Sequence, residues 1–139
     1  MRYSDNDIKE LRPSLGVRVI VAGGRDFDDS AKMCGVLARF PDILISEFVI
    51  GMCKTGADQM GVEHARRRGR KVHEFPCTQA DWTKHGKAAG PMRNEKMAIF
   101  ANEKGRGVLF AFWDGKSPGT KSMIHLALKH GLEVHVYRY

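Results

Sequence analysis

Cysteine is scarce in this chain, and apolar runs long enough to cross a membrane are missing. The three cysteines, Cys34, Cys53 and Cys77, are an odd number, lie far apart and form no Cys-x-x-Cys pair. This spacing argues against a disulfide framework and against a zinc site, so we expect no metal. A membrane span needs about eighteen apolar residues in a row, and residues 1–14 lack the apolar centre of a signal peptide. We therefore expect a cytoplasmic protein with no membrane partner.

Acidic residues are outnumbered, since 23 Lys and Arg face 16 Asp and Glu and give a net charge of +7. The densest basic cluster is the patch Arg66–Lys71. A basic surface attracts polyanions, so one hypothesis is that this patch binds nucleic acid. The patch also falls where a helix is predicted to end, where cations complement the helix dipole, and no aromatic residues are interleaved with it. Nucleic acid is therefore an alternative partner that the sequence does not favour.

The length of 139 residues suits one domain. Apolar and β-branched runs predict strands at 17–24, 43–51, 71–75, 107–113 and 132–139. Helical spacing and capping residues predict helices at 30–40, 57–69, 91–105 and 121–131, and residues 76–90 look irregular. Alternating strands and helices predict a three-layer, Rossmann-like α/β domain with a mostly parallel five-stranded sheet. We assign residues 16–139 to this domain and residues 1–15 to an N-terminal extension.

The loops at the carboxyl ends of the predicted strands differ from those at the other ends. Ligands of such sheets bind outside the carboxyl ends, where this chain has GGRDF, GMCKTGAD, AGPMRN and WDGKSPGT. All four segments are rich in glycine and in polar or basic residues. The loops at the opposite ends, FPD and ARRRGRK, show no such enrichment in glycine. The sequence therefore predicts one ligand-binding rim.

The segment GMCKTGAD resembles a phosphate-binding turn without being one of the two best-known kinds. Gly51 ends a strand and Gly56 precedes a helix, where backbone amides and the helix dipole favour a phosphate. The turn lacks the Gly-Lys-Ser/Thr of a Walker A loop and the pattern Gly-x-Gly-x-x-Gly. Asp58, in the first helical turn, either caps the helix or accepts hydrogen bonds from a ribose.

The segment KSPGT is a second loop of this kind ahead of a predicted helix, where Gly119 and Thr120 offer backbone amides and a hydroxyl. Its structural alternative is a simple N-cap by Ser117 or Thr120. Arg93 lies near another helix start, where a cation works against the dipole, so either an anionic partner or solvent compensates it. The same two interpretations apply to Arg25.

Of the two tryptophans, Trp82 lies in the irregular stretch 76–90 and Trp113 begins the segment WDGKSPGT. Each is suited either to stacking on a base or to packing the rim.

Four segments in order, VIVAGGRDF, GMCKTGAD, ADWTKHGKAAGPMRNEKM and FAFWDGKSPGT, resemble the YspA/YpsA-related branch of the SLOG superfamily from about Val17 onward. The resemblance implies a Rossmann-like fold and a site for nucleotides or for ligands derived from NAD or ADP-ribose. Relatives include the Lonely-guy phosphoribohydrolases, which cleave the base from a nucleoside monophosphate, and the DNA-processing protein DprA. The predicted ligand-binding residues are Gly23, Gly24, Arg25, Phe27, Gly51, Thr55, Gly56, Ala57, Asp58, Asp81, Trp82, Gly90, Arg93, Asn94, Gly119 and Thr120, with Met97 in the third motif.

The chain departs from the Lonely-guy enzymes at one position. Their final loop has the pattern PGGxGTxxE, whose Glu works with an Arg, whereas Thr120 is followed here by Lys, Ser and Met. We therefore favour a sensor or sequestering module for a nucleotide-like ligand, with no certain cofactor. An N-glycosidic hydrolase is the alternative, with Arg93, Asp58 and Glu95 as candidate catalytic residues and Asp81 or Asp114 as other carboxylates. The alternating helices also allow a homo-oligomer, either a dimer or a tetramer.

Overall fold

The secondary structure comes from a computed structural model that describes residues 4, 16–40, 44–51 and 55–139. The strands are β1 (Val17–Gly23), β2 (Ile45–Ile50), β3 (Lys71–Glu74), β4 (Gly107–Trp113) and β5 (Glu133–Arg138). The helices are α1 (Ser30–Arg39), α2 (Gly56–Arg67), α3 (Gln79–His85), α4 (Ala89–Ala101) and α5 (Pro118–Lys129), with a 3-10 turn at Gly86–Ala88 between α3 and α4. Apart from Ser4, the predicted N-terminal extension lies outside the described residues.

The five strands form one sheet in the order β3-β2-β1-β4-β5, and every neighbouring pair is parallel. The central strands are buried on both faces, which explains their nearly unbroken apolar sequences. Strand order reverses between β1 and β4, because the chain first builds outward through β2 and β3 and then returns to the other side of β1. The predicted three-layer α/β class is confirmed, and the sheet is entirely parallel.

The helices cover the two faces of the sheet in two sequential pairs. On one face α1 and α2 bury Met33, Leu37 and Val62 against β1, β2 and β4. On the other face α4 and α5 bury Met97 and Met123 in a second core cluster. The carboxyl ends of the strands therefore face a crevice between two helix layers, which is where parallel sheets of this kind bind ligands. None of the described helices has the length and apolar content that crossing a membrane requires.

The stretch predicted to be irregular, residues 76–90, contains α3 and the 3-10 turn. The Asp81 carboxylate accepts hydrogen bonds from the N–H and the hydroxyl of Thr78, at 2.8 and 2.9 Å, while the Thr78 hydroxyl accepts one from the Asp81 N–H. These bonds, led by the one from the Thr78 N–H, lower the pKa of Asp81. The Thr-x-x-Asp sequence is a short-chain form of the capping box, and it is the signal that the prediction missed.

Two helix starts also differ from the prediction. Pro91 is the third residue of α4 rather than the first, because the preceding 3-10 turn runs directly into the helix. Helix α5 begins at Pro118 rather than at Lys121, with proline at the position that needs no N–H donor. Gly119 and Thr120 therefore belong to the first turn of α5, with their N–H groups at a helix N-terminus.

Candidate ligand-binding cleft

A cleft of about 700 Å³ lies at the carboxyl ends of the central strands, within the usual size range of small-molecule sites. Segments from all four predicted rim motifs meet in it. The predicted residues that line it are Gly23, Gly24, Arg25, Gly51, Asp58, Trp82, Gly90, Arg93, Asn94, Met97, Gly119 and Thr120. The structure therefore brings together residues that are widely separated in the sequence.

The first two rim loops are joined by two hydrogen bonds. The Gly24 carbonyl accepts a hydrogen bond from the Ala57 N–H at 3.2 Å, and the Thr55 hydroxyl donates one to the Arg25 carbonyl at 3.1 Å. Gly56 has a φ of +74°, and a Cβ there would lie 2.6 Å from the Arg25 Cα. Glycine is therefore required at this position both for its backbone conformation and for the close approach of the loops.

Arg93 is held in the wall of the cleft by the ends of two strands. Its Nη1 donates to the carbonyl oxygens of Gly51 at 2.6 Å and of Phe75 at 3.1 Å, and its Nε donates to the Asn94 side chain at 2.9 Å. These carbonyl groups offset the unfavourable position of a cation near a helix start. The Nη2 group has no hydrogen-bond partner among the described residues, so one edge of an immobilised guanidinium remains available to a ligand.

Asn94 links Arg93 to the first turn of α5. The residue is only 5% exposed. While its Oδ1 accepts from Arg93, its Nδ2 donates to the Gly119 carbonyl at 3.3 Å. The two features of the cleft that favour an anion are therefore fixed relative to each other by one buried amide.

The first turn of α5 opens into the cleft. Pro118, Gly119 and Thr120 all line it, and the Ser117 side chain makes no capping hydrogen bond. The first N–H groups of a helix have no partner within the helix, and those of Gly119 and Thr120 have none among the described residues. The turn therefore offers two amide donors and the positive end of a helix dipole to an anion.

The loop before α5 is shaped by Asp114. Its Oδ1 accepts hydrogen bonds from the N–H groups of Ser117 and Lys116, both at 2.8 Å. These bonds, led by the one from Ser117, lower the pKa of Asp114. The carboxylate is therefore ionised at neutral pH, and it lines the cleft.

The first loop is also held from the end of β5. The Tyr139 hydroxyl donates a 2.6 Å hydrogen bond to the carboxylate of Asp26, a cleft residue. Burial, followed by this hydrogen bond to an acidic partner, raises the pKa of Tyr139. The phenol therefore stays protonated and keeps Asp26 in place.

Charges of both signs line the cleft. The cations are Arg25, Lys87 and Arg93, and the carboxylates are Asp26, Asp58 and Asp114. Asp58 is the most enclosed of these carboxylates, at 8% exposure in the first turn of α2. Such a lining suits a ligand that carries both an anionic group and hydroxyl donors.

Four residues of the predicted set support the loops instead of lining the cleft. Phe27 is buried and stacks on Phe112 with ring centroids 4.8 Å apart, and Ala57 is fully buried in the same cluster. Thr55 and Gly56 make the contacts between the first two loops described above. These residues belong to the motifs because they position the cleft, rather than because they border it.

Two predicted carboxylates lie elsewhere. Glu95 faces Lys129 and His130, each at 3.9 Å, on the side where α4 meets α5. Asp81 caps α3 and borders a smaller neighbouring pocket rather than the main cleft. Among the acidic residues proposed for catalysis, Asp58 and Asp114 are those that the structure places in the cleft.

The cleft also contains residues that the sequence did not single out. They are Ala22, Asp26, Lys87, Pro91, Pro118, Ser122 and Met123. Lys87 was missed because its segment looked irregular, and Ser122 was missed because α5 was expected to begin later. Pro118 belongs to the predicted rim segment WDGKSPGT but was not named as a ligand-binding residue.

The basic patch lies at the opposite rim, around the end of α2 and the start of β3. Part of it binds the protein's own backbone, since Arg70 donates to the carbonyls of Ile45 and Arg68, both at 3.1 Å. Arg66 and Lys71 are exposed. The patch is therefore separate from the cleft.

A parallel sheet whose strand order reverses at a ligand-sized cleft defines the Rossmann-like class of α/β domains. Within that class, residues 17–85 match the family described as the YspA, cpYpsA-related SLOG family. The chain is also 33% identical over 125 residues to the gene 61 protein of Mycobacterium phage D29, covering 84% of this chain and 93% of that protein. No solved structure matches the chain. The chain belongs to the YspA, cpYpsA-related SLOG family, as its motifs predict.

Proposed function

We propose that the cleft binds a phosphorylated, nucleotide-like ligand and that the protein serves as a sensor or sequestering module for it. The observation that carries the proposal is the first turn of α5, which opens into the cleft next to Arg93. Membership of the SLOG family is consistent with a nucleotide-related ligand.

The phosphate occupies the first turn of α5. The N–H groups of Gly119 and Thr120 donate to its oxygens, and the helix dipole stabilises its charge. Apart from the neighbouring residues and backbone of its own helix, no atom of the described residues lies within 4 Å of the place where a Gly119 Cβ would stand, so the turn is open to an approaching group. Arg93 supplies the Nη2 donor, and Asn94 links Arg93 to this turn through its hydrogen bonds to the guanidinium and to the Gly119 carbonyl.

The sugar of the ligand lies against the carboxylates. Asp58 lines the cleft from the first turn of α2, and its enclosed carboxylate accepts hydrogen bonds from the hydroxyl groups of the sugar. This assignment accounts for acidic side chains in a cleft that is proposed to bind an anion.

A second candidate function is hydrolysis of an N-glycosidic bond, which Asp58, Asp114 and Arg93 favour because they line one cleft. Such a reaction needs a carboxylate near the anomeric carbon, to activate water or to protonate the leaving group. Of the three residues that follow Thr120, which are Lys, Ser and Met, none carries a carboxylate, and Ser122 lines the cleft. Binding without hydrolysis is therefore the preferred function, and release of adenine from AMP by the wild type, but not by Asp58→Asn, would reverse that preference.

The phosphate site is tested by a matched pair of substitutions, Gly119→Asp and Gly119→Asn. The two side chains have nearly the same size, and a carboxylate in the first turn of a helix is favourable for folding. We expect Gly119→Asp to weaken AMP binding at least tenfold more than Gly119→Asn, measured by calorimetry, with no loss in melting temperature. Equal affinities of the two variants, or no AMP binding by the wild type at millimolar concentration, would reject the phosphate site.

A further inference from the structure

Trp82 is an exposed aromatic side chain at the edge of the cleft. Its side chain lines the cleft, yet the residue is 41% exposed. It belongs to α3, a helix with no buried residue. Packing of the core therefore does not explain a tryptophan at this position.

Trp82 also differs from the other aromatic residues in its ring contacts. Every other Phe, Tyr and Trp among the described residues has an aromatic, histidine or arginine partner for its ring. Trp82 has no such partner in the part of the chain that the structure describes. An exposed indole without a ring partner is a surface on which a planar ligand can stack.

Trp113, the other tryptophan that the sequence suggests for stacking, has partners within the protein for both its N–H group and its ring. Its Nε1 donates to the Ser117 carbonyl at 3.1 Å, and the Arg138 guanidinium lies 5.2 Å from its ring centroid. Trp113 therefore packs against the rim. Of the two tryptophans, Trp82 is the one whose ring is available for stacking on a ligand.

Local hydrogen bonds hold α3 where it is. Thr78 and Asp81 form a capping box at the N-terminus of α3. At its C-terminus, the Gly86 N–H donates a hydrogen bond to the Trp82 carbonyl. On the side of α4, a Cβ on Gly90 would lie 3.7 Å from the edge of the Trp82 ring. The indole is therefore carried by a defined helix next to the backbone of α4.

We propose that Trp82 is the stacking surface for the heterocyclic base of a nucleotide whose phosphate lies at the first turn of α5. This inference rests on the proposed function and gives the ligand its direction in the cleft. Pro91 and Met97 line the cleft from α4, the helix next to Trp82, and supply apolar atoms for a base. A sugar phosphate without a base leaves this end of the cleft unused, so the site selects nucleotides.

The test compares AMP with ribose 5-phosphate on the wild type, Trp82→Leu and Trp82→Phe. Stacking of one base on an aromatic ring corresponds to about a fivefold to hundredfold change in affinity. We expect Trp82→Leu to lose AMP affinity by such a factor and Trp82→Phe to recover most of it, with ribose 5-phosphate binding unchanged in both. AMP should also quench tryptophan fluorescence in the wild type but not in Trp82→Leu, which retains Trp113.

Met92→Ala is the matched control, because Met92 is equally exposed and lies outside the main cleft. It should leave both affinities unchanged. Equal AMP affinity of the wild type and Trp82→Leu would overturn the role of Trp82 while leaving the phosphate site intact. Equal affinity of the wild type for AMP and ribose 5-phosphate would show that no base is recognised. If the wild type binds neither ligand, the proposed function fails and this inference fails with it.

Discussion

The two ends of helix α2 carry the same sequence feature in different surroundings. Gly56 begins the helix and Gly69 follows it, and both have positive φ angles, +74° and +65°. A Cβ on Gly56 would collide with the backbone of Gly24 and Arg25, whereas a Cβ on Gly69 would have no described residue other than its chain neighbours within 4 Å. Gly69 is thus needed only for the backbone conformation of its turn. Gly56 is needed for its backbone conformation and also for the close approach of the two loops that frame the cleft.

The arginines at the two ends of β2 show the same contrast. Arg70 donates to the Ile45 carbonyl at the start of the strand, and Arg93 donates to the Gly51 carbonyl just after its end. Both bonds fasten a neighbouring segment to the sheet. Arg93 also borders a 700 Å³ cleft. An arginine therefore does not by itself indicate a ligand-binding site. Only the one at the carboxyl ends of the strands borders the cleft.

The largest effect expected from this comparison is on stability. Gly56→Ala combines a left-handed backbone with overlap against another loop, so we expect it to lower the free energy of unfolding by ~3 kcal/mol or more. Gly69→Ala has only the backbone term and should lose ~1–2 kcal/mol. Urea unfolding of the two variants measures both values. Equal losses would show that the loop contact at Gly56 has no energetic role.

The fold follows from the sequence because strand burial leaves a direct signature. The run Val17–Gly23 is apolar at almost every position, as a strand buried on both faces requires. Alternation with helices then leaves few ways to connect the strands. Helix α3 leaves a weaker signature, since it has no buried residue and therefore no apolar period. Its only local sign is the capping pair Thr78 and Asp81.

The members of the site are harder to predict than the segments that form it. Arg25 and Phe27 belong to one loop, yet Arg25 lines the cleft and Phe27 stacks in the core. Asp58 and Glu95 are both helical carboxylates near glycine motifs, and only Asp58 faces the cleft. Which way a loop or helix side chain points depends on partners distant in sequence, such as Phe112 for Phe27, and no local pattern encodes them.

A smaller effect is expected at the opposite rim, where Glu47 accepts from Arg18 at 3.1 Å and from His73 at 2.5 Å. Burial alone would raise the pKa of Glu47, but hydrogen bonds from His73 and Arg18 outweigh it and lower the pKa below its ordinary value of 4.5. The ionised form thus stabilises the native state above about pH 4.5, and this stability is lost as the pH falls through the lowered pKa.

Glu47→Gln should therefore be less stable than the wild type at pH 7, and the difference should shrink as the pH is lowered from 5 towards 3. Melting temperature against pH measures both curves. AMP affinity at pH 7 should not change, because the cluster lies away from the cleft. A constant difference in melting temperature across this range would contradict the assignment of the pKa shift to Glu47.

The smallest effect is expected from the exposed members of the basic patch. Arg66→Gln combined with Lys71→Gln removes two surface cations, so unfolding free energy should stay within ~0.5 kcal/mol of the wild type. AMP affinity should also be unchanged, because the patch and the cleft lie at opposite ends of the strands. Circular dichroism and calorimetry check these two outcomes.

The same double variant tests the nucleic-acid hypothesis in a low-salt gel-shift assay. We expect no complex with the wild type, because Arg70 is bound to backbone carbonyls and the patch contains no aromatic residue for stacking. A wild-type complex that weakens steeply with salt and disappears in the double variant would instead identify a second binding surface. Both rims would then bind phosphates, one through helix-start amides and the partly buried Arg93 and the other through exposed cations. They would differ in salt dependence, because salt screens exposed charges more strongly than partly buried ones.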